Sequence, residues 1–119
     1  MQIAQKRQMG CIRALKDARL PRDEELIIQC DNQADAMIGG EQLMRRANCS
    51  DGIFAGNDLT AAGVMYAIKH RRFKVPGDVA ISGFTNDLVS TLIDPTLITV
   101  EQHGDKVGEI ATDLLWRRI

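Results

Sequence analysis

The stretch DGIFAGNDLTAAGVMYAIKHR, Asp51 to Arg71, decides how this chain folds. DGIFAG is a short apolar run of the kind that fills a buried strand. Asn57 and Asp58 close it, and either can cap a following helix by accepting from its free N–H groups. LTAAGVMYAIKHR then carries apolar residues at helical spacing. A buried strand feeding a capped helix is half of a parallel strand–helix–strand unit.

Working outward, the pattern repeats. Upstream, ELIIQC (Glu25 to Cys30) is an apolar burst rich in β-branched residues and predicts a strand. DNQADAMIGGEQLMRRAN after it returns to helical spacing through Ala36, Leu43, Met44 and Ala47. An amphipathic helix is expected from about Ala4 to Ala18, with Cys11, Ile12, Leu15 and Ala18 on one face and Leu20-Pro21 as its stop. Downstream, KVPGDV supplies a turn, AISGF a third strand, and DPTLITVEQ a loop feeding a fourth, shorter strand before a last helix. Strands that are apolar runs alternating with helices imply an α/β fold: three layers, a mainly parallel sheet with helices on both faces. Right-handed crossovers would then bring Cys30-Asp31, Gly56-Asn57-Asp58 and Thr85-Asn86-Asp87 to one rim, where open sheets hold ligands.

The 119 residues fit one domain, 1–119. Fifteen Lys and Arg against sixteen Asp and Glu leave a net charge of −1, so the chain has no overall electrostatic footprint for a phosphate backbone or an anionic membrane. Cys11, Cys30 and Cys49 are odd in number and lack CxxC spacing, which points to reduced thiols and a cytoplasmic setting. The charged, amphipathic start has no signal-peptide pattern, and export or membrane anchoring is not expected.

No phosphate loop of the GxxxxGK type occurs, and the glycines of IGGE lie within a helical pattern. His70 and His103 have no partners at ligand spacing, so neither a metal nor a cofactor is expected. Ser82 precedes Gly83 but lacks the first glycine of a nucleophile elbow, and no catalytic residue is assigned.

Several spaced elements in one order resemble the C-terminal part of the effector-binding core of LacI/GalR-family transcriptional repressors. They are Gly56-Asn57-Asp58, Val75-Pro76, Asp78-Val79, Gly83-Phe84, Pro95-Thr96-Leu97, Thr99-Val100, Gln102, and Gly108 with Ala111, preceded by Arg7 three residues before Gly10. The resemblance covers nearly the whole chain. It implies one of two similar subdomains that close over a small effector, and a DNA-reading helix-turn-helix that this chain lacks. A periplasmic sugar-binding protein of the same fold, a transport component, is the alternative; an enzyme would need the glycine loop or acid/base pair that is missing.

By that resemblance the effector contacts are Arg7, Asn57, Asp58, Thr85 and Asn86. The fork of Arg7 suits a carboxylate, a phosphate or sugar hydroxyls, while its plain reading is a solvated charge. Asp58 can be a cap, a ligand contact, or both. Ala34 falls where many relatives place an aromatic. Thr85 stands where relatives commonly have Asp, which makes the rim less hostile to an anion and suggests a sugar derivative carrying a carboxylate or phosphate. A homodimer is implied through Leu59, Ala62, Met65 and Tyr66 of the third helix with Leu88 and Ile93; deep burial of that helix is the other explanation of its apolar girth. The last helix, about 104–119, has an apolar stripe through Val107, Ile110, Ala111, Leu114, Leu115 and Ile119. It is expected to pack on the absent N-terminal subdomain and, without it, to swap, dimerise or disorder.

Overall fold

Two helices sharing a seam of small residues organise the structure, a computed structural model that describes residues 2–119. The elements run α1 (Ile3–Asp17), a single 3-10 turn (Glu24–Leu26), α2 (Gln33–Met44), β1 (Gly52–Phe54), α3 (Asp58–His70), β2 (Ala80–Ser82), α4 (Val89–Leu92) and α5 (Gly104–Trp116). A Cβ built on Gly40 would lie 3.3 Å from the Val64 backbone, and one on Gly63 would lie 3.2 Å from the Ala36 Cβ. Those glycines let α2 and α3 approach closely, which is the use the sequence makes of IGGE. Both helices start as their caps direct: Asn32 Oδ1 accepts the Asp35 N–H at 2.9 Å, and Asn57 Oδ1 accepts the Thr60 N–H at 2.8 Å.

β1 and β2 pair in parallel with Ile53 opposite Ile81. Because side chains alternate along a strand, this pair faces α3 while Phe54 and Ser82 face away. The core gathers Ala36 and Met44 of α2, Ala61, Val64, Met65 and Ile68 of α3, Ala55, Val79, Ile81 and Leu97. It is aliphatic, as the low aromatic content requires.

The expected three-layer sheet is not what forms. The chain is 51% helical with 8% in strands, and its only sheet among the described residues has two three-residue strands. The Glu25–Cys30 segment makes a 3-10 turn and then an unladdered run whose Ile28 and Cys30 side chains lie beside Gly39. The fourth strand is reduced to single bridges, Ser82 to Ile98 and Thr85 to Glu101. An apolar run fixes which side chains are buried, but a strand also needs a neighbour for its N–H and C=O groups, and no run supplies that by itself. Helices do not cover both faces either, since α1 and α5 have no buried residue. The Cα radius of gyration, 16.4 Å, exceeds the roughly 13.5 Å of a packed domain this long, in keeping with elements that project from the core.

Candidate functional site

The ends of β1 and β2 lie side by side, because the Ala55 N–H donates to the Ser82 carbonyl at 2.8 Å. The chain from Ile98 to Glu101 joins them, accepting from the Gly83 N–H at Ile98 (2.8 Å) and from the Thr85 N–H at Val100 (2.9 Å). Gly56-Asn57 and Gly83–Asp87 therefore share one rim. Cys30-Asp31 does not join them through hydrogen bonds; the Asp31 N–H turns to Asp35 Oδ2 at 3.1 Å within the α2 cap. The Cys30 thiol is pushed above its ordinary range by burial first, then by the charges of Asp35 and Asp31. Ala34 is exposed in the first turn of α2.

Asp58 lies under the rim rather than on it. It is 1% exposed, with Oδ2 accepting the Asp87 N–H at 2.7 Å and Oδ1 the Thr99 hydroxyl at 2.6 Å. Both oxygens are thus engaged with protein. Gly83 makes room for this carboxylate: a Cβ there would overlap Asp58 Oδ1 and come within 2.8 Å of Leu97 Cδ2.

Above it, the Arg7 guanidinium lies 4.3 Å from the centroid of the Phe84 ring and donates to the Gly56 carbonyl. Phe84 meets Phe54 edge-on, with centroids 6.5 Å apart. This stack reaches α1 across the outward face of the strands and holds a cation at the rim, with donors to spare from its five. Asn57 uses its Oδ1 as a cap and keeps its amide donors. Thr85 has φ 117° and Asn86 φ 59°. Asparagine tolerates the left-handed region, but a β-branched threonine there is strained, and strain held by surrounding bonds is a mark of functional loops. Those bonds are visible: the Asn86 N–H donates to Thr99 Oγ1 at 3.1 Å, and its amide donates to Glu101 Oε2. Glu101 Oε1 also accepts the His103 N–H at 2.9 Å. The Asn86 bond, followed by the His103 one, holds the Glu101 carboxyl below the usual carboxylate range.

Arg7, Asn57, Thr85 and Asn86 thus sit on or beside the loops that leave β1 and β2, with Phe84 under the Arg7 guanidinium. Sequence reasoning did not assign Phe84, Thr99 or Glu101. Phe84 could have been found, since two residues of alternation put it on the same face as Ser82; Thr99 and Glu101 reach the rim only through a contact distant in sequence. Among the described residues no group of three or more His, Cys, Asp and Glu could hold a metal, and no helix is long and apolar enough to cross a membrane.

Of the residues expected at a dimer contact, Leu59 and Tyr66 are 55% exposed and Leu88 70%. Ala62 and Ile93 are half-buried, and Met65 belongs to the core at 4%. An open groove of about 380 Å³ runs past Ala62, Met65, Tyr66 and Ile93. The inner side of α3 is thus deeply buried, which accounts for part of its apolar girth, while Leu59 and Tyr66 on its outer side stand in water.

The periplasmic binding protein-like domain matches residues 2–119. The HTH-type transcriptional repressor PurR of Vibrio atlanticus (strain LGP32) is 31% identical over 111 residues, covering 92% of this chain and 33% of that protein. A LacI family transcriptional regulator from Arthrobacter sp. FB24, solved in complex with lactose, is 33% identical with a TM-score of 0.67, over 71% of this chain and 32% of that one. A sugar-binding transcriptional regulator of the LacI family from Escherichia coli, complexed with phosphate, is 29% identical with a TM-score of 0.73, over 80% and 34%. The chain thus spans about a third of the length of these relatives.

Proposed function

This chain belongs to the periplasmic binding protein-like domain family and resembles the LacI/GalR regulators within it; from that premise we propose that it is the effector-sensing part of such a transcriptional regulator. It would contribute one wall of a cleft for a small sugar-like molecule and pass the state of that cleft to a helix-turn-helix carried elsewhere in the protein. Such a regulator works in the cytoplasm, where its operator is, and touches DNA only through that other domain. No catalytic step falls to this chain, in line with relatives that are regulators.

The carrying observation is the rim itself: a cation fixed over an aromatic ring, the free amide of Asn57, and a strained Thr85-Asn86 loop. Asp58 supports the rim from below. With a neutral Thr85 where the family pattern has Asp, the uncompensated donors of Arg7 favour an effector bearing a carboxylate or phosphate. The phosphate held by the Escherichia coli relative supports that choice. Calorimetric titration of the whole protein with glucose, gluconate and glucose 6-phosphate tests it. An acidic analogue should bind about tenfold more tightly than the neutral sugar, the worth of one charge-assisted hydrogen bond, and Arg7→Gln should erase the difference. Preference for the neutral sugar would overturn the anionic reading.

We assign the homodimer contact to the outer side of α3, Leu59, Ala62 and Tyr66, with Leu88 and Ile93, because large apolar side chains there stand in water. Met65 backs that surface from the core. The last helix, about 104–119, would dock on the other subdomain of the intact protein.

A further inference from the structure

Three left-handed residues lie close around one side chain, and the sensing role alone does not call for that arrangement. Thr85 (φ 117°) and Asn86 (φ 59°) form the rim loop, and His103 (φ 50°) is the last residue before α5. Glu101 stands between them: one carboxylate oxygen accepts from the Asn86 side-chain amide and the other from the His103 backbone N–H at 2.9 Å. The same strand segment is fastened to the rim backbone through the Thr85 N–H and the Val100 carbonyl at 2.9 Å. No side chain of α5 is buried, so nothing in its own packing sets the direction in which it leaves. The backbone turns into the left-handed region at His103, the residue whose N–H donates to Glu101, immediately before α5.

We propose that Glu101 is a positioning residue that makes the conformation of the rim loop and the orientation of α5 a single mechanical unit. Thr85, a β-branched residue at φ 117°, is held there only by its surroundings, so losing the Glu101 bonds on either side frees both the rim loop and the turn into α5. Glu101 suits the task because a carboxylate accepts on both oxygens, whereas an amide offers one acceptor atom and turns a donor toward the other partner, and a cation offers none. The direction of its pKa shift agrees, since the charged form is the one both donors favour. Where the rim is the effector contact proposed above, this bridge would report occupancy to α5. That extension rests on the sensing reading; the bridge does not.

The test is made on the isotope-labelled 119-residue chain without ligand, in the Ile110→Lys and Leu114→Glu background that keeps α5 from pairing with a second copy, so that its failure would leave the effector reading standing. Amide exchange at His103 and residual dipolar couplings along α5 are compared in that background alone and with Asn86→Ala, Glu101→Gln or Glu101→Ala added. Asn86→Ala, made on the exposed rim, should speed exchange at His103 about tenfold, the loss expected for a charge-assisted bond. It should also take the α5 couplings out of the frame that fits α2 and α3. Glu101→Ala should do the same while altering Thr85 and Asn86, and Glu101→Gln, which keeps one acceptor, should preserve one end only. If Asn86→Ala leaves His103 and α5 as they were, or if α5 already moves independently of the core in the background alone, the coupling does not exist.

Discussion

Asp58 shows how one residue's neighbours decide its role. An acid at a helix start after a strand is equally suited to capping and to ligand contact, and its sequence position cannot separate the two. In the structure the cap is Asn57, and Asp58 is buried with both oxygens occupied by Asp87 and Thr99. Replacing Asp58 with Ala would leave a buried N–H and a hydroxyl without their acceptor. Urea unfolding should show a loss of about 3 kcal/mol, with the circular dichroism of α2 and α3 retained in the folded baseline. Asp58→Asn keeps one acceptor but turns a donor toward another, and should fall between. A purely ligand-facing Asp58 would instead give unchanged unfolding. Arg7 carries the opposite lesson: it reads as one more charge in QKRQ, yet its place over Phe84 is a contact across 77 positions that only folding could produce.

At the scale of elements, the four long helices and the strands β1 and β2 were legible, but the other two expected strands do not form and the short α4 was not foreseen. α2 and α3 follow from spacing, caps and composition, each a local property of the chain. Their closeness follows from Gly40 and Gly63, whose value is invisible until the facing backbone is in place. Gly63→Leu should cost about 1–3 kcal/mol by forcing Ala36 and Gln33 away, whereas Gly10→Ala, with no neighbour within 4 Å of the new Cβ, should leave the unfolding midpoint unchanged or slightly raised. Equal midpoints for the two variants in thermal melts would contradict the seam. The run ELIIQC was read as a strand because it is apolar and β-branched, and DPTLITVEQ as a loop feeding a shorter one, but burial is only half of what makes a strand. Ile28 and Cys30 lie against α2, while the ladder bonds that would complete a sheet there do not form.

The whole molecule leaves two apolar faces in water. Val107, Ile110, Leu114, Leu115 and Ile119 on the last segment are each more than half exposed, as are Leu59, Tyr66 and Leu88 around α3. A stripe of this kind draws partners by the area it can remove from water. The isolated chain should therefore self-associate, seen by light scattering as a mass that rises with concentration. Ile110→Lys with Leu114→Glu should remove the share due to α5 without shifting the core melting midpoint, because α5 has no buried residue. Tyr66→Glu should separately remove the share due to α3. A chain that stays monomeric at all concentrations would show that neither face joins copies of this chain.

The residues by themselves determined the family resemblance, the helices and their caps, an aliphatic core and the positions of the rim loops, because each depends on neighbours a few places away or on side-chain character alone. The tertiary structure decided how little of the sheet is laddered, that Asp58 lies beneath the rim, that Arg7 rests on Phe84, and that Glu101 joins the rim to the last helix. All of these are pairings between groups far apart in sequence. Nothing local specifies the second partner of a hydrogen bond or of a packed ring until the chain has brought it there.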